Sequence, residues 1–206
     1  VVEFTNVFVA QYIGAEKPRK VGCALWQGIY FALGAGLLLA GLSFGGETIF
    51  RWTGHAPQVR TLEAVYFRIL MQGAVFGLLQ TALSCFYSGR GMTIPIMVIN
   101  IIGVTLNIPL DYILINGALG LPELGIAGSA IATVISHATM ALLFILMVFS
   151  ARNHRLYGLE NIGRFDWGLF KRLLKFGTPA GIHFFIDIFG FSIFVIMVGR
   201  LGRNEL

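Results

Sequence analysis

The sequence predicts an all-α membrane protein built as a multi-helix bundle. Three observations carry this. Hydrophobic residues make up 56% of the 206 positions and charged residues only 12%, against about 25% charged in a typical soluble domain. Mean hydropathy is +0.78, and too little charge remains to coat a water-soluble globule. The apolar residues also gather in five long runs, 21–44, 65–86, 92–116, 124–150 and 176–199, each near the ~20 residues a spanning helix needs. Finally, backbone polar groups in hydrocarbon must be paired within their own segment, so these runs are helices rather than open strands.

The elements follow in order. Residues 4–13 are apolar but too short to span a bilayer, and are expected to be the tail of a helix. The opening Val1-Val2-Glu3 has no basic-then-apolar signal pattern, and Arg203-Asn204-Glu205-Leu206 follows an apolar run. Both ends are expected to lie inside a longer chain. Within the runs, Gly73-x-x-x-Gly77 and the series Gly34, Gly36, Gly41 read as devices for close helix packing. Residues 151–163 are the most polar stretch and the expected boundary between lobes. Asp166 then N-caps a short amphipathic helix, in which Trp167, Phe170, Leu173 and Leu174 face the acyl region and Lys171, Arg172 and Lys175 the headgroups. Cys23 and Cys85 read as small packing residues near helix ends.

Charge position sets the orientation. One set of alternate loops holds Lys17, Arg19 and Lys20, then Arg90, then Arg152, Arg155, Arg164, Lys171, Arg172 and Lys175. The positive-inside rule puts these loops at the cytoplasm. The net charge of +5 is therefore topological and meets anionic lipid heads; a nucleic-acid partner is excluded.

Two carboxylates, Asp111 and Asp187, lie well inside apolar runs. A charge at the bilayer centre costs at least ~2.5–3.5 kcal/mol on insertion scales, so such a residue normally faces a cavity or the bundle interior. Asn107 stands one turn before Asp111 on the same helix face. Pro109, between them, leaves the Thr105 carbonyl without its helical donor. The next run carries Ser129, Thr133 and His137 at four-residue spacing. With a rise of ~1.5 Å per residue, Asp111 lies ~9 Å and Thr133 ~13 Å from the outer ends of their helices, so the groups can meet in the outer half of the membrane. Hydrogen-bonded glue between helices is the plainer reading of Ser129 and Thr133. Asp187 lies ~18 Å from the outer end of the last run, with His183 one turn earlier and Pro179 before both. The alternative there is a buried His–Asp pair that only locks packing.

The segments Asn107-Ile-Pro-Leu-Asp111-Tyr-Ile-Leu-Ile-Asn-Gly117 and Leu121-Pro-Glu-Leu-Gly-Ile-Ala-Gly-Ser-Ala-Ile-Ala-Thr133 carry a resemblance to the multidrug and toxic compound extrusion (MATE) transporters. Ala10-Gln-Tyr-Ile-Gly-Ala15, Ser88-Gly-Arg-Gly91 before Pro95, and Lys175-Phe-Gly-Thr-Pro-Ala-Gly181 support it. The resemblance implies a transporter of two six-helix lobes. Residues 1–150 would then be the end of the second helix and helices three to six of the N-terminal lobe, 151–172 a cytoplasmic inter-lobe linker, and 173–206 the seventh helix, first of the C-terminal lobe. It implies a multi-pass protein of the inner cell membrane, monomeric when complete, exporting drugs or organic cations in exchange for inward Na+ or H+, with no further cofactor. By position, Asn107, Asp111, Ser129 and Thr133 match the N-lobe cation site of part of the family, and Asp187 the seventh-helix acid of its NorM-like branch. Thr81 stands near a fourth-helix Asn of some members, and it and His183 fall to the substrate cavity. The first-helix acid that completes the cation site would precede Val1, and a tenth-helix acid would follow Leu206.

Other chemistry finds little support. None of the four histidines stands in an H-E-x-x-H or Cys-rich spacing, and the sequence has no G-x-x-x-x-G-K-[S/T] phosphate loop. The rival readings are a lipid-linked saccharide flippase, which would want cationic groups in its cavity, a membrane-embedded enzyme built on His183–Asp187, and a non-transporting subunit.

Overall fold

The apolar runs form helices in a computed structural model, which describes residues 1–46, 50, 57–159 and 165–200, with side chains to 194 in the last helix. A 3₁₀ turn, Val2–Phe4, leads into α1 (Thr5–Gly14). Next come α2 (Arg19–Leu42), α3 (Pro57–Ser88), α4 (Ile94–Asn116), α5 (Ile126–Val148), the short α6 (Ala151–Tyr157) and α7 (Trp167–Arg200). Among the described residues, five helices are long and apolar enough to cross a membrane. Large side chains such as Leu37, Phe44, Ile94 and Tyr112 are mostly exposed on them. That surface suits lipid and not water.

The packing order differs from the chain order. α3 lies between α2 and α5, and α4 packs on the far side of α5. Glycines permit the close crossings. A Cβ at Gly36 would strike Val75 of α3, one at Gly73 the Val134 side chain, and one at Gly103 the Met140 thioether. Gly34 and Gly41 meet nothing within 4 Å, so only part of the glycine series does this job. The core gathers at one end, around Val9, Val21, Leu25, Leu83, Phe86, Phe144, Val148 and Leu159.

That end carries the basic loops. The Arg90 guanidinium sits over the Tyr157 ring at 4.5 Å, the Trp26 indole N–H donates to the Leu159 carbonyl at 3.3 Å, and Gly22 abuts the Gly158 carbonyl. The three loops assigned to one side by their charge thus share one end. At the opposite end Gly117 closes α4 with φ 67°, a left-handed conformation that favours glycine. The loop then folds back, with Leu124 N–H on the Leu114 carbonyl at 3.1 Å.

One element corrects the sequence reading. The amphipathic stretch is no separate interfacial helix: it is the start of α7, which runs unbroken through Pro179. Asp166 does cap it, accepting the Leu169 N–H at 3.0 Å. Leu173, expected in the acyl region, is buried with Leu169 against Phe8 and Ala24, because the first turns of α7 lie on α1 and α2. Trp167 is exposed. Arg164 lies outside the described residues.

Candidate functional site

Two groupings of polar residues emerge. The first lies where α4 crosses α5. Gly128 opposes the Leu114 carbonyl and Gly103 opposes Met140, so the helices run antiparallel in a register that sets Asp111 level with Ala132. Thr133 is one residue away from that level. Asp111 and Asn107 are half-buried on α4, as are Ser129 and Thr133 on α5. The Asp111 Oδ1 atom is buried and has no hydrogen-bond partner among the described residues. The Thr133 hydroxyl donates to the Ser129 carbonyl at 3.0 Å, which leaves its oxygen lone pairs free to accept. Ser136, level with Asn107, is buried with its hydroxyl likewise unpartnered among the described residues.

The donor set fits a small hard cation, which takes carboxylate, amide, hydroxyl and carbonyl oxygens. The same carboxylate oxygen could equally take a proton. Either would satisfy a buried acceptor that is otherwise unmet.

The second grouping is a cavity of 640 Å³ between α7, the N-terminal turn, α2 and α3. Thr81, His183 and Asp187 all line it, together with Glu3. His183 Nδ1 and Asp187 Oδ2 are 3.1 Å apart, with side chains 81% and 63% exposed. Within this chain the pair is exposed: α7 touches the bundle along its first half, where Gly177 and Gly181 approach Val1, and its described side chains beyond Gly181 are exposed. The Thr81 hydroxyl is turned back to the Gly77 carbonyl at 2.9 Å. The candidate residues thus form two sets, Asn107, Asp111, Ser129 and Thr133 in one and Thr81, His183 and Asp187 in the other.

Sequence reasoning passed over two features. Glu3 stands just before the apolar stub, in the turn Val2–Phe4, where no depth could be assigned. The other is a network across three helices: Gln80 Nε2 donates to Asn100 Oδ1 at 3.2 Å, and Gln80 Oε1 lies 2.7 Å from His137 Nδ1. His137 was visible in the α5 stripe, but single amides within apolar runs give no comparable signal.

Comparison with known proteins agrees with this architecture. A "Probable multidrug resistance protein NorM" of Neisseria meningitidis is 30% identical over 201 residues, covering 97% of this chain and 44% of its own length. One of Mannheimia succiniciproducens is 32% identical over 195 residues (94% and 42%). The "Multidrug resistance protein NorM" of Vibrio cholerae is 31% identical over 197 (95% and 43%). The chain therefore spans less than half the length of these relatives. In fold it is similar to a solved inward-facing conformation of a multidrug resistance MATE family transporter of the MOP superfamily, with TM-score 0.73 and 22% identity over 86% of this chain and 40% of that one. The MatE family model matches residues 5–113, more than half of the sequence, and the chain belongs to that family.

Proposed function

We propose that the protein is a secondary active exporter of organic cations or amphipathic drugs, working by exchange for inward Na+ or H+. The buried, unpartnered Asp111 oxygen at the α4–α5 crossing is the observation that carries this reading. A small cation held by that oxygen would satisfy an acceptor otherwise unmet, so its binding and release changes the energy of the crossing. Pro109 supplies a point of weakness beside it, since the Thr105 carbonyl has no helical donor. A cation bound more tightly in one arrangement than in the other then shifts the equilibrium between them.

The cavity supplies the substrate side. Its ionisable lining side chains are Glu3, Asp187 and His183. An acid-lined cleft with Phe4, Phe31 and Phe184 suits a lipophilic cation, through charge and cation–π attraction. It does not suit the pyrophosphate of a lipid-linked saccharide, which disfavours the flippase reading. The names of the relatives, multidrug resistance proteins, support transport over catalysis.

The test is gradient-driven efflux of a fluorescent organic cation in membrane vesicles carrying the whole transporter. Asp111→Asn is expected to lower coupled efflux at least about tenfold, a loss of ~1.4 kcal/mol in coupling or more, with the amount of inserted protein unchanged. Efflux that still follows the gradient in this variant removes Asp111 from the coupling step.

A further inference from the structure

At the basic end of the bundle Arg90 is held in an unusual setting. Its guanidinium lies 4.5 Å from the centroid of Phe86 and 4.5 Å from that of Tyr157, with Tyr87 at 5.7 Å. Aromatic faces attract the cation and fix its plane, but they do not neutralise it. Its Nη1 is buried without a hydrogen-bond partner among the described residues. Arg90 also lines a separate cavity of 590 Å³, between the α3–α4 turn and the α5–α6 junction. Arg152, Ser150 and Asn153 line the same cavity, and among the described residues no carboxylate does. Two guanidinium groups thus share one cleft with hydroxyl and amide donors, and among the described residues no counter-charge lines it.

The rim is apolar. Leu146 is 64% exposed, Met92 41% and Leu156 50%. The cleft lies where α3 and α5 reach the end with the basic loops, the level at which a bilayer's headgroups begin. We propose that this cleft binds the phosphodiester headgroup of an anionic glycerophospholipid. Arg90 and Arg152 hold the phosphate, and Leu146, Met92 and Leu156 receive the first acyl carbons. The planar fork of arginine suits phosphate oxygens, and basic pockets between spanning helices are a known physical solution for acidic lipid heads. A free phosphate offers the same anionic oxygens but leaves the apolar rim in contact with water. The rim is why a lipid is favoured.

Native mass spectrometry of the purified full-length transporter tests this. The probes are phosphatidylglycerol, phosphatidylcholine and inorganic phosphate. Phosphatidylglycerol is expected to be retained about tenfold more tightly than phosphatidylcholine, and Arg152→Gln to remove about that factor. Arg152 is exposed, so its loss leaves the core packing intact. Arg90→Lys keeps the charge but loses the stacked fork, and is expected to weaken retention about as much. Arg155→Gln, on the same short helix but outside the cleft, is expected to change it less than about twofold. Equal retention of phosphatidylglycerol by wild type and Arg152→Gln overturns the proposal. Displacement of the lipid by millimolar inorganic phosphate would overturn the lipid assignment and make this a site for free phosphate.

Discussion

Asp111 and Asp187 are both acids on spanning helices, yet their surroundings differ. Asp111 has a buried oxygen with no partner among the described residues, whereas Asp187 faces an open cavity, paired with His183. On the proposed function, the first would hold a coupling ion and the second would attract the cationic substrate. Two charges 4 Å apart interact by ~1 kcal/mol in water and more near a protein surface. Asp187→Asn and Glu3→Gln are therefore each expected to weaken the apparent affinity for a monovalent organic cation about fivefold. A neutral amphiphile should be affected less than about twofold in the same vesicles, since it lacks the charge these acids attract. Equal losses for both substrates would mean that the two acids shape the cavity rather than recognise charge. At this scale a sequence singles out the residues whose placement in an apolar run is expensive. Asp111, Asp187 and the Asn107–Thr133 group stood out against apolar runs. Glu3 and Gln80 did not, because the cost of a polar group depends on depth and partners that the sequence alone does not supply.

Between elements, close approach decides stability. A Cβ at Gly128 would lie 2.5 Å from the Leu114 backbone oxygen, and backbone cannot move aside as a side chain can. Overpacking of this kind costs about 1–3 kcal/mol. Gly128→Leu is expected to lower the thermal midpoint of the detergent-solubilised protein by several degrees, read by fluorescence-detected size exclusion. Gly34→Ala is the matching control: nothing lies within 4 Å, and alanine's helix propensity exceeds glycine's by about 0.8–1 kcal/mol, so the midpoint should hold or rise. Helix limits also show what hydropathy misses. α3 begins at Pro57, eight residues before its apolar run, because Gln58, Arg60 and Glu63 are good helix formers that do not belong in lipid. α7 merges an amphipathic stretch and an apolar run into one helix, since no residue between them breaks it.

Across the whole molecule, the charged loops and the packing order agree. The loops around Lys17, Arg90 and Arg155 meet at one end through the Arg90–Tyr157 and Trp26–Leu159 contacts. The turn containing Leu119, 86% exposed, lies at the other. The positive-inside rule makes the first end cytoplasmic. With Cys23 and Cys85 replaced, Arg155→Cys is expected to react with a membrane-impermeant maleimide only in permeabilised cells. Leu119→Cys should react in intact spheroplasts. The opposite pattern would invert the topology.

Composition and hydropathy alone determined that this chain is a helical membrane protein with five long apolar runs, because the bilayer accepts so few kinds of segment. The Asn107–Thr133 motif was sufficient to suggest the family. Only the tertiary structure decided the packing order, in which α3 rather than its neighbour α4 lies against both α2 and α5. It also separated the Asp111 grouping from the cavity shared by Glu3, Thr81, His183 and Asp187. The physical reason is that helix formation and membrane insertion depend on local chemistry, while helix neighbours are chosen by shape. Glycines at Gly36, Gly73, Gly103 and Gly128 permit close approach, but which surface comes to meet each of them depends on all the helices at once.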